Sequence, residues 1–264
     1  RPRARIVLYR TSLFLAGGGS LIQDNTSTRS ILYYLSILNM ARNSGAKTML
    51  FANGIGPIRR PFNRYCTIKV LDNIHSISLR DSESYQEIKA LGIVRPNIYV
   101  TSDPAILLKP ADAKLIDTLM ISEGIPGDRP LFGLSIRKWA DSNYLEQIAK
   151  ISDYCVEHFG LYPVFVPMQH PIDLEISEVI QSHMKHPAAI IKKMYSPEVM
   201  LGFIGRLELL VGMRLHSLIY AADQCVPLIG LVYEPKVKGF LKEINQPSAE
   251  VSGNLDVDKI CGIL

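Results

Sequence analysis

The 264-residue chain is 47% hydrophobic and 20% charged, a balance that supplies a substantial core and excludes an intrinsically disordered polymer. Its net charge of +4 is too weak to imply nucleic-acid binding, and no apolar run reaches the roughly 18 residues of a membrane span. Four scattered cysteines (Cys66, Cys155, Cys225, Cys261) form no C-x-x-C pair, which predicts reduced thiols in a cytoplasmic protein and no metal site.

Taken in chain order, the sequence opens on two apolar runs, Arg5 to Tyr9 and Ser12 to Ala16, that both read as buried strands. Only Arg10 and Thr11 separate them, too few for a parallel crossover and the wrong residues for a tight hairpin. The expectation is that a connecting segment has been lost there and that a first βαβ unit is absent. Strands then follow near 12–16, 47–52, 74–79 and 97–100, alternating with helices near 29–44, 61–73 and 83–91. Lys109 to Pro130, rich in proline and glycine, reads as a linker. Beyond it the rhythm restarts. Strands are expected near 131–136, 162–167, 188–191, 207–211 and 226–232, with helices near 141–159, 172–186, 196–205 and 216–224. Ser196-Pro197-Glu198 is a favourable helix start. The alternation predicts an α/β protein of two doubly wound domains, residues 1–112 and 113–264, with the active site in the cleft between them.

Open parallel sheets bind ligands beyond the carboxyl ends of their strands. In the first half this edge carries Gly17-Gly18-Gly19-Ser20 with Asp24, Asn53 to Pro57, Arg80-Asp81 and Ser102-Asp103-Pro104. The second half adds Arg137, Gln169-His170, Arg214 with His216, and Glu234 with Lys236. Glycines permit a ligand to approach the backbone closely, yet Gly17 to Ser20 is neither a P-loop nor a full dinucleotide fingerprint. Asp24 reads equally as a local cap or as a base, and Arg80-Asp81 as a local ion pair or a binding pair. Asp103 suits a turn, and His170 a helix cap or a substrate contact. Met213-Arg214-Leu215-His216 is the sharpest signal, because an Arg and a His opening a helix suit an anion and a proton donor. The helix dipole disfavours imidazolium, so an acid role for His216 requires a bound anion or a nearby carboxylate. Two cationic clusters stand out: Arg59, Arg60, Arg64 and Lys69, and Lys236, Lys238 and Lys242.

These segments together resemble the polysaccharide pyruvyl transferase family, in particular its bacterial cell-wall branch that decorates the polysaccharide anchoring S-layer proteins. The resemblance runs from Leu13 to Asp24 through Ala52 to Pro57, Ser78 to Ser82, Thr101 to Pro104 and Gly133 to Arg137, ending with Val211 to Ser217 and Tyr233 to Lys236. It implies a glycosyltransferase-B-like pair of Rossmann-type domains and no cofactor, with phosphoenolpyruvate as donor substrate. The implied acceptor is an N-acetylmannosamine residue of a lipid-linked wall polysaccharide, and the product a 4,6-pyruvate ketal. On this resemblance His216 is the general acid, and Arg137, Arg214 and Lys236, with Arg80, grip the donor. Asp24 is preferred over Glu234 as base, while Gly18, Gly19, Ser20, Asn53, Asp103, His170 and Glu234 line the cleft or meet the acceptor. A lipid-linked acceptor and the Arg59–Lys69 cluster raise the expectation of attachment to the inner membrane surface. Two other readings compete: a nucleotide-sugar glycosyltransferase of the same architecture, and a non-catalytic wall-polysaccharide binding module, for which a single tryptophan (Trp139) is poor support.

Overall fold

A computed structural model describes residues 7–139, 144–251 and 255–263. The chain divides into two compact units, Arg1–Pro104 and Ala105–Leu264.

The first unit is a four-stranded parallel sheet in the order β1-β2-β3-β4, with β1 Leu13–Gly17, β2 Lys47–Asn53, β3 Ser76–Leu79 and β4 Asn97–Val100. Three helices connect the strands: α1 Thr28–Asn43, α2 Pro61–Leu71 and α3 Ser82–Ala90. Ser27 caps α1 through the amide of Ser30, and Asp81 caps α3 through the amide of Ser84. Leu50, Ile77 and Leu79 join Ile31, Leu35, Leu38, Leu71 and Ile88 of the helices in one core. The register places Ala16, Leu50, Ile77 and Ile98 in one row across the sheet, so their neighbours along each strand point the other way. There Leu13, Leu15, Phe51 and Tyr99 are exposed. Both faces were expected to be covered; among the described residues only one is.

Residues 7–9 form a helical turn, closed by Arg10 N–H to Val7 O, where the sequence predicts a strand. A short apolar run does not by itself distinguish the two. Residues 5 and 6 of that run lie outside the described residues.

The second unit is a six-stranded parallel sheet, β10-β9-β8-β5-β6-β7. Its strands are β5 Leu131–Ser135, β6 Tyr162–Phe165, β7 Ala189–Ile190, β8 Leu207–Gly212, β9 Leu228–Val232 and β10 Ser248–Glu250. Its helices are α4 Ala113–Glu123, α5 Tyr144–Phe159, α6 Ile172–His183, α7 Pro197–Ile204, α8 Leu215–Asp223, α9 Pro235–Glu243 and α10 Val257–Cys261. Here both faces are covered. Leu131, Val164 and Leu228 point into one core with α4, α7, α8 and α9, while Phe132, Phe165 and Ile229 point into a second with α5, α6 and α10. The near-continuous apolar strands are what such double burial demands. Gly230 marks its tightest point, since an added Cβ would overlap the Leu241 methyls of α9.

The stretch read as a linker is structured. Asp112 caps α4 through the amide of Lys114, and Gly124 ends it in the left-handed conformation at φ 68°. Ser196 stands at the N-cap of α7 with Pro197 behind it, though its hydroxyl makes no capping bond. The helices α9 and α10 and the strand β10 extend the fold beyond the elements expected from sequence, and residues 141–143 of the helix expected near 141–159 lie outside the described residues.

Candidate functional site

In the first unit, the carboxyl edge of the sheet is tied together by its own polar groups. The glycine turn after β1 and the loop after β2 run on as a pair: Gly54 N–H donates to Gly19 O at 2.9 Å and Gly56 N–H to Ile22 O at 2.8 Å. Gly18 and Gly19 adopt φ of 77° and 60° with open space where a Cβ would stand, so this turn is both glycine-dependent and accessible. At Gly54 a Cβ would lie 2.7 Å from Ser20 Oγ and 3.0 Å from Arg80 Nη2. Asn53 is fully buried, its Nδ2 donating to Ala16 O at 2.7 Å while its Oδ1 has no partner among the described residues.

Arg80 follows β3 and is only 7% exposed. Its guanidinium donates to Ser20 Oγ at 3.0 Å, to Asp103 Oδ2 at 3.2 Å and to Asp81 Oδ2 at 3.4 Å. It thereby staples the tips of β1, β3 and β4 together. Asp24, 5% exposed, accepts from the amides of Arg59 and Arg60 and from Asn63 Nδ2 at 2.9–3.1 Å. Burial opposes its charge, but these donors and the Arg60 cation outweigh it and hold the carboxyl below its usual range. Asp24 thus fastens the start of α2. Sequence reasoning gave Arg80 to the donor and Asp24 to base catalysis; in the structure both side chains hold protein partners.

In the second unit, the tips of the four central strands carry the remaining candidates. Arg137 lies two residues past β5 and Gln169-His170 beyond β6; Arg214 with His216 follows β8, and Glu234 with Lys236 follows β9. Two cross-links join tips that are not neighbours. Arg137 Nη1 donates to Tyr233 Oη at 2.9 Å, reaching from β5 over β8 to β9. Its guanidinium also stacks 4.5 Å from the Tyr233 ring and 5.8 Å from that of Trp139, and the two rings meet edge to face at 5.0 Å. Beneath them, buried Tyr144 donates to Arg137 O at 2.6 Å and accepts from Trp139 N–H.

The second cross-link reaches from β8 over β5 to β6. Arg214 Nε and Nη2 both donate to Asp173, and Nη2 also donates to Gln169 Oε1 at 2.8 Å. Asp173 is fully buried in the first turn of α6 and accepts from the amides of Met168 and Gln169. The pair leaves Nη1 as the edge of the Arg214 fork that Asp173 does not engage. Arg214 is the N-cap residue of α8 and His216 stands exposed in its first turn. His170 is half-buried before a cis bond to Pro171. Lys236 Nζ lies 2.9 Å from Glu234 Oε1, close enough for an ion pair but not aligned as a hydrogen bond. Burial, followed by the Glu234 carboxylate, pushes the Tyr233 hydroxyl up to about 12, so it remains a donor at neutral pH.

Within this unit Arg137, Arg214, His170, His216, Glu234 and Lys236 share one sheet edge, and Gly18, Gly19, Ser20, Asn53, Arg80 and Asp103 share the corresponding edge of the first. Sequence reasoning missed Asp173, Tyr233 and Tyr144. Asp173 gave one signal, an acid in the first turn of a helix that follows a strand. Among the described residues no group of three His, Cys, Asp or Glu could hold a metal ion, and no helix is long and apolar enough to cross a membrane.

Residues 2–235 match a protein family described as polysaccharide pyruvyl transferase. No curated protein matches the chain significantly. Among solved structures, a UDP-GlcNAc 2-epimerase from Methanocaldococcus jannaschii aligns with a TM-score of 0.69 at 13% identity, over 100% of this chain and 73% of that one. A glycosyltransferase from Rickettsia africae aligns with a TM-score of 0.60 at 12% identity, over 99% and 69%. Anabaena HepE, in complex with UDP-glucose, gives 0.62 at 10% identity, over 99% and 70%. At these identities the likeness shows the fold: two Rossmann-like parallel sheets of the glycosyltransferase-B type.

Proposed function

The chain belongs to the polysaccharide pyruvyl transferase family and is a transferase; from that membership we propose that it moves pyruvate from phosphoenolpyruvate onto paired hydroxyls of a wall saccharide. The acceptor proposed is an N-acetylmannosamine residue of the lipid-linked polysaccharide that anchors S-layer proteins, and the products are a 4,6-pyruvate ketal and phosphate. One observation carries the reading. Cations and a histidine from separate strands occupy one edge of one sheet, with Arg137 and Arg214 each oriented by a cross-link to a non-adjacent strand.

Phosphoenolpyruvate offers a carboxylate and a phosphate, which planar guanidinium and ammonium groups recognise. Arg137 and Lys236 supply the cations. Arg214 contributes its Nη1 edge and, through Asp173, rigidity. His216, exposed in the first turn of α8, gives a proton to the methylene carbon, making C2 electrophilic. The donor's negative charge offsets the penalty that a helix N-terminus imposes on imidazolium. One sugar hydroxyl adds to C2 as its proton passes to the base and on to the departing phosphate, and the second hydroxyl then closes the ketal, its proton returning to His216. Glu234 is the base in this scheme in place of Asp24, whose carboxylate already accepts from the Arg59 and Arg60 amides and from Asn63.

The competing nucleotide-sugar reading draws on the fold shared with UDP-binding neighbours. Thermal unfolding separates the two. At about a hundred times its dissociation constant, the true donor stabilises the protein by about 2.7 kcal/mol. Stabilisation by phosphoenolpyruvate and not by nucleotide sugars supports the proposal; the reverse pattern rejects it.

A further inference from the structure

The first unit carries a surface that the chemistry above does not use. From Asn25 to Leu71 the chain contains no acidic residue, although it holds Arg29, Arg59, Arg60 and Lys69 among its cations. The helix α2 turns Asn63, Thr67 and Leu71 inward, leaving Phe62, Tyr65 and Lys69 on the opposite face at spacings of three and four residues, one stripe of the helix. Phe62 and Tyr65 are each 60% exposed. Lys69 Nζ lies 5.6 Å from the Tyr65 ring centre, so cation and aromatic form one patch. Arg59 and Arg60 stand exposed just ahead of the helix, and the neighbouring α1 exposes Arg29 and Tyr33. Arg64, by contrast, points away from this stripe and pairs with Glu87.

We propose that this face of α2, with Arg59 and Arg60, is the surface by which the protein rests on an anionic lipid bilayer. Aromatic rings among exposed cations match the interfacial layer, where rings enter the headgroup boundary and cations meet lipid phosphates. Nucleic acid is the poorer match, since the chain's net charge is only +4. The patch begins at the sheet edge that holds the glycine turn, so docking brings that edge close to the membrane plane. A lipid-linked acceptor accords with this, but the surface is argued without it.

Vesicle flotation tests the assignment. The full chain should float with phosphatidylcholine vesicles containing phosphatidylglycerol and stay behind with phosphatidylcholine alone. Binding at about 0.1 M salt should vanish near 1 M, where the Debye length falls from about 10 Å to about 3 Å. Arg59→Gln and Lys69→Gln should each weaken binding about fivefold. Phe62→Ala with Tyr65→Ala should weaken it further without altering the salt dependence. Thermal melting identifies any variant that loses its fold, and Lys238→Gln with Lys242→Gln, from the other cationic cluster, should bind like the wild type. Equal binding to both vesicle types, or equal losses from the two clusters, would overturn the proposal. So would capture by duplex DNA with vesicles ignored.

Discussion

Asp24 and Asp173 do the same work in the two units: each is a sequestered acid that gathers donors from a neighbouring loop. For Asp24 the sign of the pH effect follows directly. Folding lowers its carboxyl below the ordinary 3.8, so the ionised group adds stability above that value and loses it as pH falls through the folded one. Asp24→Asn should therefore cost about 1–3 kcal/mol at neutral pH, and the gap from wild type should close on acidification below about pH 4. Denaturant midpoints measured across that range check this, and a gap widening in acid would contradict it. Asp173 is bound more tightly into its surroundings. Removing one member of a buried ion pair leaves the other charge uncompensated, and Asp173→Ala should cost about 3–5 kcal/mol. Replacing Asp173 and Arg214 together by apolar residues should recover much of that loss in urea unfolding. A cost below about 1 kcal/mol for Asp173→Ala would show that the pair does not hold the β6 and β8 tips.

Among the elements, the doubly covered sheet is packed most closely at Gly230. Any Cβ at Gly230 must displace Leu241 of α9, so Gly230→Ala should destabilise the protein by about 1–3 kcal/mol. Leu241→Ala in the same chain should relieve part of the overlap, and additive costs in a double-mutant cycle would argue against direct contact. The strands were legible in the sequence because apolar runs such as Leu228 to Val232 stand beside prolines and polar turns. The helix α4 was not, since Pro110, Pro126, Gly127 and Pro130 surround it and suggest a connection. Its own signals, Asp112 before and Gly124 after, are capping residues that also occur in loops. Residues 7–9 failed in the opposite sense, because three or four apolar residues carry no usable period. The helix α9 was obscured by three lysines, although Glu234-Pro235 marks its start.

At the scale of the molecule, the rule that ligands meet parallel sheets beyond their carboxyl ends located the candidate edges from sequence alone. The family, too, was legible in the ordered motifs from Leu13 to Lys236. What the sequence left open was the commitment of each side chain. Arg80 and Arg137 look alike as residues following strands, yet one guanidinium is buried among Ser20, Asp81 and Asp103 while the other lies against two aromatic rings. That distinction depends on which strands become neighbours, which no local spacing encodes. Whether His216 and the cations of the same sheet edge transfer pyruvate is tested most directly by acceptor-dependent release of phosphate from phosphoenolpyruvate. With an N-acetylmannosaminyl acceptor, the wild type should release one phosphate per ketal formed and His216→Ala should be slower by about 10²–10⁴-fold. Phosphate release indifferent to acceptor, or a well-folded His216→Ala of near-normal rate, would contradict it.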